Sequence, residues 1–371
     1  MFDFIPVNQY TDIFNYTVLV LTLIAFYQCQ RGVVFREDVV NLNAGWGFII
    51  TIIIVVFMGL RPISSVFGDT VNYAAAYERL KLIPMRWDTQ GEWLFYNLLH
   101  WFARNSNIHM FFLLCATLYV IPLWIACHRI FNNYSYLPFL IILGMFTFWN
   151  YGVNGIRNGI GASLIILAMT YVENLPIAIL LCFIATGFHS SVYLMIGAGL
   201  LAWFVKNSYY YLAGWFLCVF LSLIAGSSIQ SYFAGLGIGG DDDRFTTYLT
   251  IDAEEFARTE LTVLRTVFRW DYLAYSFMAV VVGWYFIFKR KFKDEYYHWV
   301  YNTFLITNAF WVLIIRAAFS NRFAQISWFI MPIVLIYPFM KKRFWINHEK
   351  MLGYALLAFY AFAFYYNIVR G

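Results

Sequence analysis

An arginine stands near the start of an apolar segment, in "NGIRNGIGASLIIL" at residues 154–167. Burying a guanidinium in a membrane costs ~3 kcal/mol or more unless the group is paired or hydrated. Arg157 lies about 200° around a helix from Gly155, so it points away from the small-residue stripe of Gly155, Gly159 and Ala162. The neighbouring apolar segments contain almost no acidic residue that could pair with it. The pattern therefore favours an anionic ligand or a hydrated cavity at Arg157 over a structural ion pair.

A histidine occupies the short turn "FHSS" between two further apolar segments. If His189 faces the same side of the membrane as Arg157, it can serve as an acid or base, or contact phosphate. The alternative is a structural histidine whose hydrogen bonds are satisfied inside the fold.

The stretch "GLRPISSVFGDTVNYAAAYERL" at residues 59–80 contains a second group of candidates. Arg61 closes an apolar segment whose helix Pro62 ends, and Asp69 and Tyr73 are spaced i, i+4 on the helix that follows. We expect Arg61 to contribute to anion binding, Asp69 to act as a base and Tyr73 to guide the substrate. The alternative is an interfacial arginine and a helix-capping aspartate.

Two more arginines flank a tight turn in "IIRAAFSNRFAQISW" at residues 314–328. Arg316 ends one apolar segment and Arg322 begins the next. Each guanidinium offers a planar fork of donors for phosphate oxygens, so the pair predicts an anion clamp. The alternative is two ordinary anchors at the membrane interface.

A long polar segment precedes this hairpin, and its residues 252–270 have the pattern of an amphipathic helix. One face is apolar and contains Phe256, Val263, Val267 and Trp270. The opposite face contains three arginines, which are Arg258, Arg265 and Arg269. Such a helix lies on a membrane surface, where the arginines can guide an anionic lipid-linked substrate. The "DDD" at 241–243 lacks further oxygen ligands at suitable spacing, so we expect no metal site there.

The elements that must position these residues are membrane helices. The chain of 371 residues is 62% hydrophobic and 12% charged, against about 25% charged residues in soluble domains. Crossing a bilayer takes roughly 20 apolar residues, and the sequence has room for about 10–12 such segments. We therefore predict an all-α, polytopic fold in one transmembrane domain, residues 1–371. The apolar segments lie near 13–30, 46–60, 108–127, 136–150, 157–173, 176–188, 190–205, 209–226, 272–288, 297–315, 323–339 and 351–368.

Basic clusters in short loops predict the orientation. Arg31 with Arg36, "KRKFK" at 289–293 and "KKR" at 341–343 fall on one side of a twelve-span arrangement, which we assign to the cytoplasm. Both termini then face outward, as do the loops 61–107, with short helices, and 227–271, with the amphipathic helix. The same outer face receives Arg61, Asp69, Arg157, His189, Arg316 and Arg322.

Several classes of protein lack support in the sequence. No Walker A, GxSxG, HExxH or CxxC pattern is present, which argues against an ATPase, a serine hydrolase, a zinc protease and a redox enzyme. The five cysteines lie inside apolar runs without ligand-like spacing, so we expect no disulfide and no metal site.

In this order and spacing, the motifs resemble those of the EpsG family, which are Wzy-like polymerases of bacterial surface polysaccharides. They are the Arg61, Asp69 and Tyr73 group, "GIRNGIGASL", "FHSSVYL" and the late "NRFAQISWFIMPI". The resemblance covers about residues 45–340. The chain departs from the family's "RQ" motif, because Asn158 follows Arg157 where the family usually has glutamine.

The resemblance implies a GT-C-like glycosyltransferase that uses undecaprenyl-pyrophosphate-linked oligosaccharides as donor and acceptor. In that chemistry, Arg157, Arg316, Arg322 and Arg61 bind the pyrophosphate, and His189 or Asp69 activates the acceptor hydroxyl. The implied location is the bacterial cytoplasmic membrane, with the active site facing outward. Its other expected partners are the bilayer and a chain-length regulator protein, with no nucleic acid, cofactor or metal.

Three alternatives stay open at this point. An O-antigen-type ligase shares the fold and the donor but uses a different acceptor. A transporter or flippase of the same lipid is disfavoured, because no internal repeat is visible and the charges gather at one face. A membrane acyltransferase acting on surface glycans also uses arginine and histidine.

Overall fold

The computed structural model describes residues 4–235, 268–317 and 320–369. The protein is 80% helical, and none of the described residues lies in a β-strand, which confirms the all-α prediction. The chain divides into two compact units, Met1–Val192 with Phe339–Gly371 and Tyr193–Pro338.

The first unit contains the first nine helices and the last helix of the described chain. They are α1 (Tyr10–Gln30), α2 (Glu37–Gly59), α3 (Thr70–Leu80), α4 (Trp93–Asn105), α5 (Ile108–Phe131), α6 (Tyr136–Leu143), α7 (Phe148–Val153), α8 (Ile156–Ala168), α9 (Leu175–Thr186) and α16 (His348–Phe364). The boundaries of the units fall in α10 (Val192–Phe204) and α15 (Met331–Lys341). The second unit contains α11 (Ser208–Gly235), α12 (Trp270–Trp284), α13 (Glu295–Leu313) and α14 (Asn321–Trp328).

The described residues include 7 helices long and apolar enough to cross a membrane. These helices make the chain a multi-pass membrane protein. They are Val7–Gln30, Glu37–Gly59, Ile108–Leu143, Ser208–Gly226, Trp270–Lys289, Asn321–Lys341 and His348–Ile368. Three shorter apolar helices are Ile156–Tyr171, Leu175–Thr186 and Val192–Phe204.

The core of the first unit surrounds α8. Helix α5 packs against both α2 and α8, α8 packs against α9, and α1 packs against α16. Every residue of α8 is buried, so this helix is enclosed by protein. Arg157, the second residue of α8, therefore needs hydrogen-bond and charge partners from other elements of the unit.

A buried hydrogen-bond network holds the second unit together. The indole N–H of Trp215 donates to Asn308 Oδ1 at 2.8 Å, and Asn308 Nδ2 lies 3.0 and 2.9 Å from the Ser276 and Ser327 hydroxyls. The Trp328 indole donates to Ser276 Oγ at 2.7 Å. The network joins α11, α12, α13 and α14 and gives its own buried polar side chains hydrogen-bond partners.

The two predicted outer loops have different outcomes. Residues 61–107 contain α3 and α4, which are short helices. The amphipathic helix predicted over 252–270 is wrong at its end, because residues 268–269 are not helical and Trp270 begins α12. Residues 252–267, with Arg258 and Arg265, lie outside the described residues.

Candidate active site

Arg157 lies directly after the break between α7 and α8. Helix α7 ends at Val153, Gly155 leaves helical geometry, and α8 begins at Ile156. Arg157 is therefore in the first turn of α8. Its side chain is 9% exposed, so its charge is almost fully removed from solvent.

The Arg157 guanidinium is held by three side chains of the segment 61–107. Nη1 forms an ion pair with Oε2 of Glu92 and also donates to the Tyr96 hydroxyl at 3.0 Å. Nε donates to the Tyr73 hydroxyl at 3.1 Å. The neighbouring apolar segments do not supply an acidic partner, as the sequence indicated, but Glu92, which immediately precedes α4, does.

The other terminal nitrogen of Arg157, Nη2, has different surroundings from Nη1. Nη2 donates to none of the described residues. Nη2 is not fully buried, in contrast to Arg61 Nε, which is buried and has no hydrogen-bond partner. Nη2 therefore keeps its N–H groups for an anion, while Nε and Nη1 are bound by Tyr73, Tyr96 and Glu92.

Glu92 also faces His189. Its Oε1 lies 3.3 Å from His189 Nε2, and its side chain is 11% exposed. His189 Nδ1 accepts the backbone N–H of Ser191 at 3.0 Å, so the neutral ring carries its proton on Nε2 and donates it to the carboxylate. The Ser191 hydroxyl, 2.8 Å from Nδ1, donates to Asn158 Oδ1 at 3.0 Å. The residue that departs from the "RQ" motif is thus part of the same network.

Close packing brings Glu92 to His189. The carbonyl of Gly187 accepts the backbone N–H of Leu94 at 2.9 Å, which joins the start of α4 to the turn after α9. A Cβ on Gly187 would lie 2.8 Å from Leu94 Cβ, so a larger residue would push the two segments apart. Glu92 immediately precedes α4, and His189 follows Gly187 by two residues.

Arg61 donates its hydrogen bonds to protein acceptors outside this cluster. Its Nη1 donates to Met58 O at 2.6 Å, and its Nη2 donates to the Thr70 hydroxyl and Val153 O at 2.9 and 3.0 Å. It is 1% exposed, and burial lowers the pKa of Arg61 to about 10, which leaves it protonated at neutral pH. These contacts favour a structural role in which Arg61 fixes the start of α3 to the break that precedes Arg157.

Asp69 lies at the N-terminus of α3. Its backbone N–H donates to Asn154 Oδ1 at 2.9 Å, and its carboxylate accepts the Asn72 amide at 3.2 Å. Neither Arg157 nor His189 forms an ion pair with it among the described residues. Its helix neighbour Tyr73 is the member of this pair that reaches the guanidinium.

The second unit contains the other predicted arginines. Arg316 is half-buried after the end of α13, with its guanidinium carbon 5.5 Å from the Phe268 ring centre. Arg322 is exposed in the first turn of α14. Arg269 is paired with Asp271 at 2.8 Å, so its charge is already compensated. The roles of these three residues stay predictions.

The structure thus brings together Tyr73, Arg157 and His189, and it adds Glu92 and Tyr96, which the sequence analysis missed. The available signal was an acidic residue that opens a short aromatic helix in "GEWLFYNLLHW". The described residues contain no group of three or more His, Cys, Asp or Glu side chains placed to hold a metal ion.

Comparison with known proteins gives one match. A sequence model described as the EpsG family matches residues 46–371. No curated protein and no solved structure matches the chain.

Proposed function

The chain belongs to the EpsG family, the family of Wzy-like polysaccharide polymerases, and from this we propose that it joins undecaprenyl-pyrophosphate-linked oligosaccharide repeat units. The proposed location is the outer face of the bacterial cytoplasmic membrane. The observation that supports this most is the nearly buried Arg157 guanidinium, whose Nη1 is paired with Glu92 and whose Nη2 donates to none of the described residues.

In the proposed reaction, an acceptor hydroxyl oxygen attacks the anomeric carbon of the donor sugar. The bond from that carbon to the pyrophosphate oxygen breaks, and the electron pair leaves with undecaprenyl pyrophosphate. Nη2 of Arg157 donates to the departing oxygens, because fixed donors in a dry site stabilise developing charge best. The tyrosine hydroxyls of Tyr73 and Tyr96 keep the guanidinium in place.

The acceptor hydroxyl must also lose its proton. His189 gives its Nδ1 lone pair to the Ser191 N–H and its Nε2 proton to Glu92, so it has no lone pair for the acceptor. Glu92 has carboxylate oxygens that can accept a proton. We therefore assign the proton to Glu92, with His189 orienting the carboxylate. Asp69 is the alternative base.

Pyrophosphate binding and proton transfer are coupled in this scheme. While Arg157 neutralises Glu92, the carboxylate is a weak base, because a nearby cation favours its charged form. Pyrophosphate competes for the same guanidinium. Once the donor is bound, its pyrophosphate takes over part of the interaction with Arg157, and Glu92 becomes more basic.

Arg316 and Arg322 are further proposed pyrophosphate ligands, and a chain-length regulator is a proposed partner.

Arg157→Lys tests the proposal, since lysine keeps the charge but loses the fork of donors. Purified protein in lipid vesicles is given the lipid-linked repeat unit alone, and products are separated by size. We expect a ladder of polymers from the wild type and a loss of at least 100-fold in its rate for Arg157→Lys.

Arg129→Lys is the matched control. Arg129 also donates to a hydroxyl, that of Thr170 at 3.0 Å, and it stacks on Tyr171. We expect this variant to make the wild-type ladder. A normal ladder from folded Arg157→Lys would refute the role of Arg157. Absence of any ladder from the wild type, with transfer in a second reaction that adds a different acceptor, would indicate a ligase.

A further inference from the structure

A pocket of 310 Å³ opens in the first unit, apart from the Arg157 cluster. Its volume is at the lower end of ligand pockets, which measure about 300–1,000 Å³. Aromatic side chains form part of its lining, with Trp149 only 5% exposed. Asn150 and Ser65, which are exposed, supply polar groups. None of its lining residues is charged.

Several polar groups of this pocket have unused hydrogen-bonding capacity. Asn154 Nδ2 donates to Asn150 Oδ1 at 3.4 Å, which leaves the Asn150 amide N–H groups without an acceptor among the described residues. The hydroxyls of Thr11 and Ser65 and the indole N–H of Trp149 also contact no hydrogen-bond partner in the described chain. An apolar wall with unpaired amide, hydroxyl and indole groups is suited to a ligand that is both polar and ring-shaped.

We propose that this pocket binds one neutral sugar ring of the repeat unit. Hydroxyl groups of a sugar both donate and accept, which matches asparagine amides and serine or threonine hydroxyls. The apolar C–H groups of a pyranose ring contact the exposed edges of the aromatic lining, since the face of Trp149 is already stacked on Phe14. A uronic acid or a phosphate is disfavoured, because no lining cation compensates its charge. The assignment of this sugar to a repeat unit rests on the proposed polymerase function.

The position of the pocket supports this ligand. Its lining includes residues near the start of α1, after the end of α2 and after the end of α16, namely Thr11, Ser65 and Asn367. These helix ends share the side of the membrane that the basic clusters predict to be external. Asn154 is also three residues before Arg157, and its Oδ1 accepts the N–H of Asp69. The break between α7 and α8 therefore positions both the pocket residue Asn154 and the guanidinium of Arg157.

The tight turn at Gly68 shapes the pocket wall. Gly68 has a φ of +57°, which favours glycine, and a Cβ there would collide with the Asn154 side chain. This contact keeps Asn154 between the pocket and Asp69.

Asn150→Leu is the decisive variant, because it replaces the free amide by an apolar side chain with the same number of heavy atoms at an exposed position. The control is Asn8→Leu, since Asn8 is also exposed in the first unit but does not line the pocket. The probe is the monosaccharide mixture released by acid hydrolysis of the producing cells' own polysaccharide. Binding to the full-length protein in nanodiscs is measured by saturation-transfer NMR.

We expect at least one neutral sugar to bind the wild type and Asn8→Leu, and to bind Asn150→Leu about tenfold more weakly, as for the loss of one hydrogen bond. Absence of binding by every neutral sugar, or equal binding by both variants, would overturn the pocket assignment.

The size ladder of the same preparations distinguishes this failure from failure of the proposed function. A wild-type ladder without sugar binding refutes the pocket alone. Sugar binding without any ladder refutes the polymerase and leaves a sugar-binding pocket. Arg157→Lys, which does not line the pocket, is expected to lose the ladder and keep the NMR signal.

Discussion

Glutamine substitutions of Arg157 and Glu92, made singly and together, distinguish a structural ion pair from a catalytic one. The two side chains are only 9% and 11% exposed. Removing one partner of a buried pair typically costs about 3–5 kcal/mol, because the other charge is left uncompensated. In Glu92→Gln, Arg157 retains two tyrosine hydroxyls, and in Arg157→Gln, Glu92 retains His189. We therefore expect each single variant to cost an energy near the lower end of this range.

We therefore expect each single variant to lose about 3 kcal/mol of unfolding free energy, a factor of about 100 in the unfolding equilibrium. The double variant, Arg157→Gln with Glu92→Gln, removes both charges together. We expect its stability to return to within about 1 kcal/mol of the wild type. Denaturant unfolding in mixed micelles, followed by tryptophan fluorescence, measures both quantities.

Activity is expected to follow a different pattern from stability. Loss of an oxyanion donor or of a general base costs about 100-fold or more in rate, and the double variant lacks both groups. It should therefore be stable yet make no ladder. Recovery of the ladder together with stability would refute the catalytic assignment and leave only a structural pair. The exposed pair of Glu78 and Lys81 is the control, where the same substitutions should cost under about 1 kcal/mol.

Two further predictions concern the residues that hold this cluster. Arg61→Lys should lose about 3 kcal/mol of unfolding free energy, since lysine cannot keep the contacts to Met58 O, Thr70 and Val153 O together. Unchanged denaturant midpoints would contradict the structural role of Arg61. Burial raises the pKa of Tyr73 to about 12, so the unfolded chain loses this proton first as the pH rises above 10. Wild-type stability should fall between pH 10 and 12, and Tyr73→Phe should show a shallower fall in the same unfolding assay.

The all-α membrane fold could be predicted from the sequence because it depends on local properties. Runs of apolar residues determine which segments form buried or lipid-facing helices, and Pro62 lies three residues after the end of α2. The breaks in the region 136–168 were harder to predict. The sequence suggested two segments, 136–150 and 157–173, with a gap around Gly155, whereas the structure has α6, α7 and α8, because the chain also breaks between Leu143 and Phe148.

The candidate site could be predicted only in part. Arg157, Tyr73 and His189 stood out because their chemistry is unusual in apolar surroundings. Glu92 did not, because its segment is polar and an acidic residue there is unremarkable. Its position beside Arg157 depends on the packing of α4 against the turn at Gly187, which is a tertiary contact without a local signature.

A carboxylate beside a substrate-binding arginine has a consequence for turnover in the proposed mechanism. A polymerase must bind a pyrophosphate strongly enough to support its departure, and then release the lipid pyrophosphate before the next repeat unit can react. An uncompensated buried guanidinium would be unstable in the empty site and would retain the product tightly. Glu92 compensates the empty site and competes with the product for Arg157 Nη1, while Nη2 stays available for the next donor. On this argument Glu92→Gln should bind undecaprenyl pyrophosphate more tightly than the wild type, and weaker binding in a product-inhibition titration would contradict it.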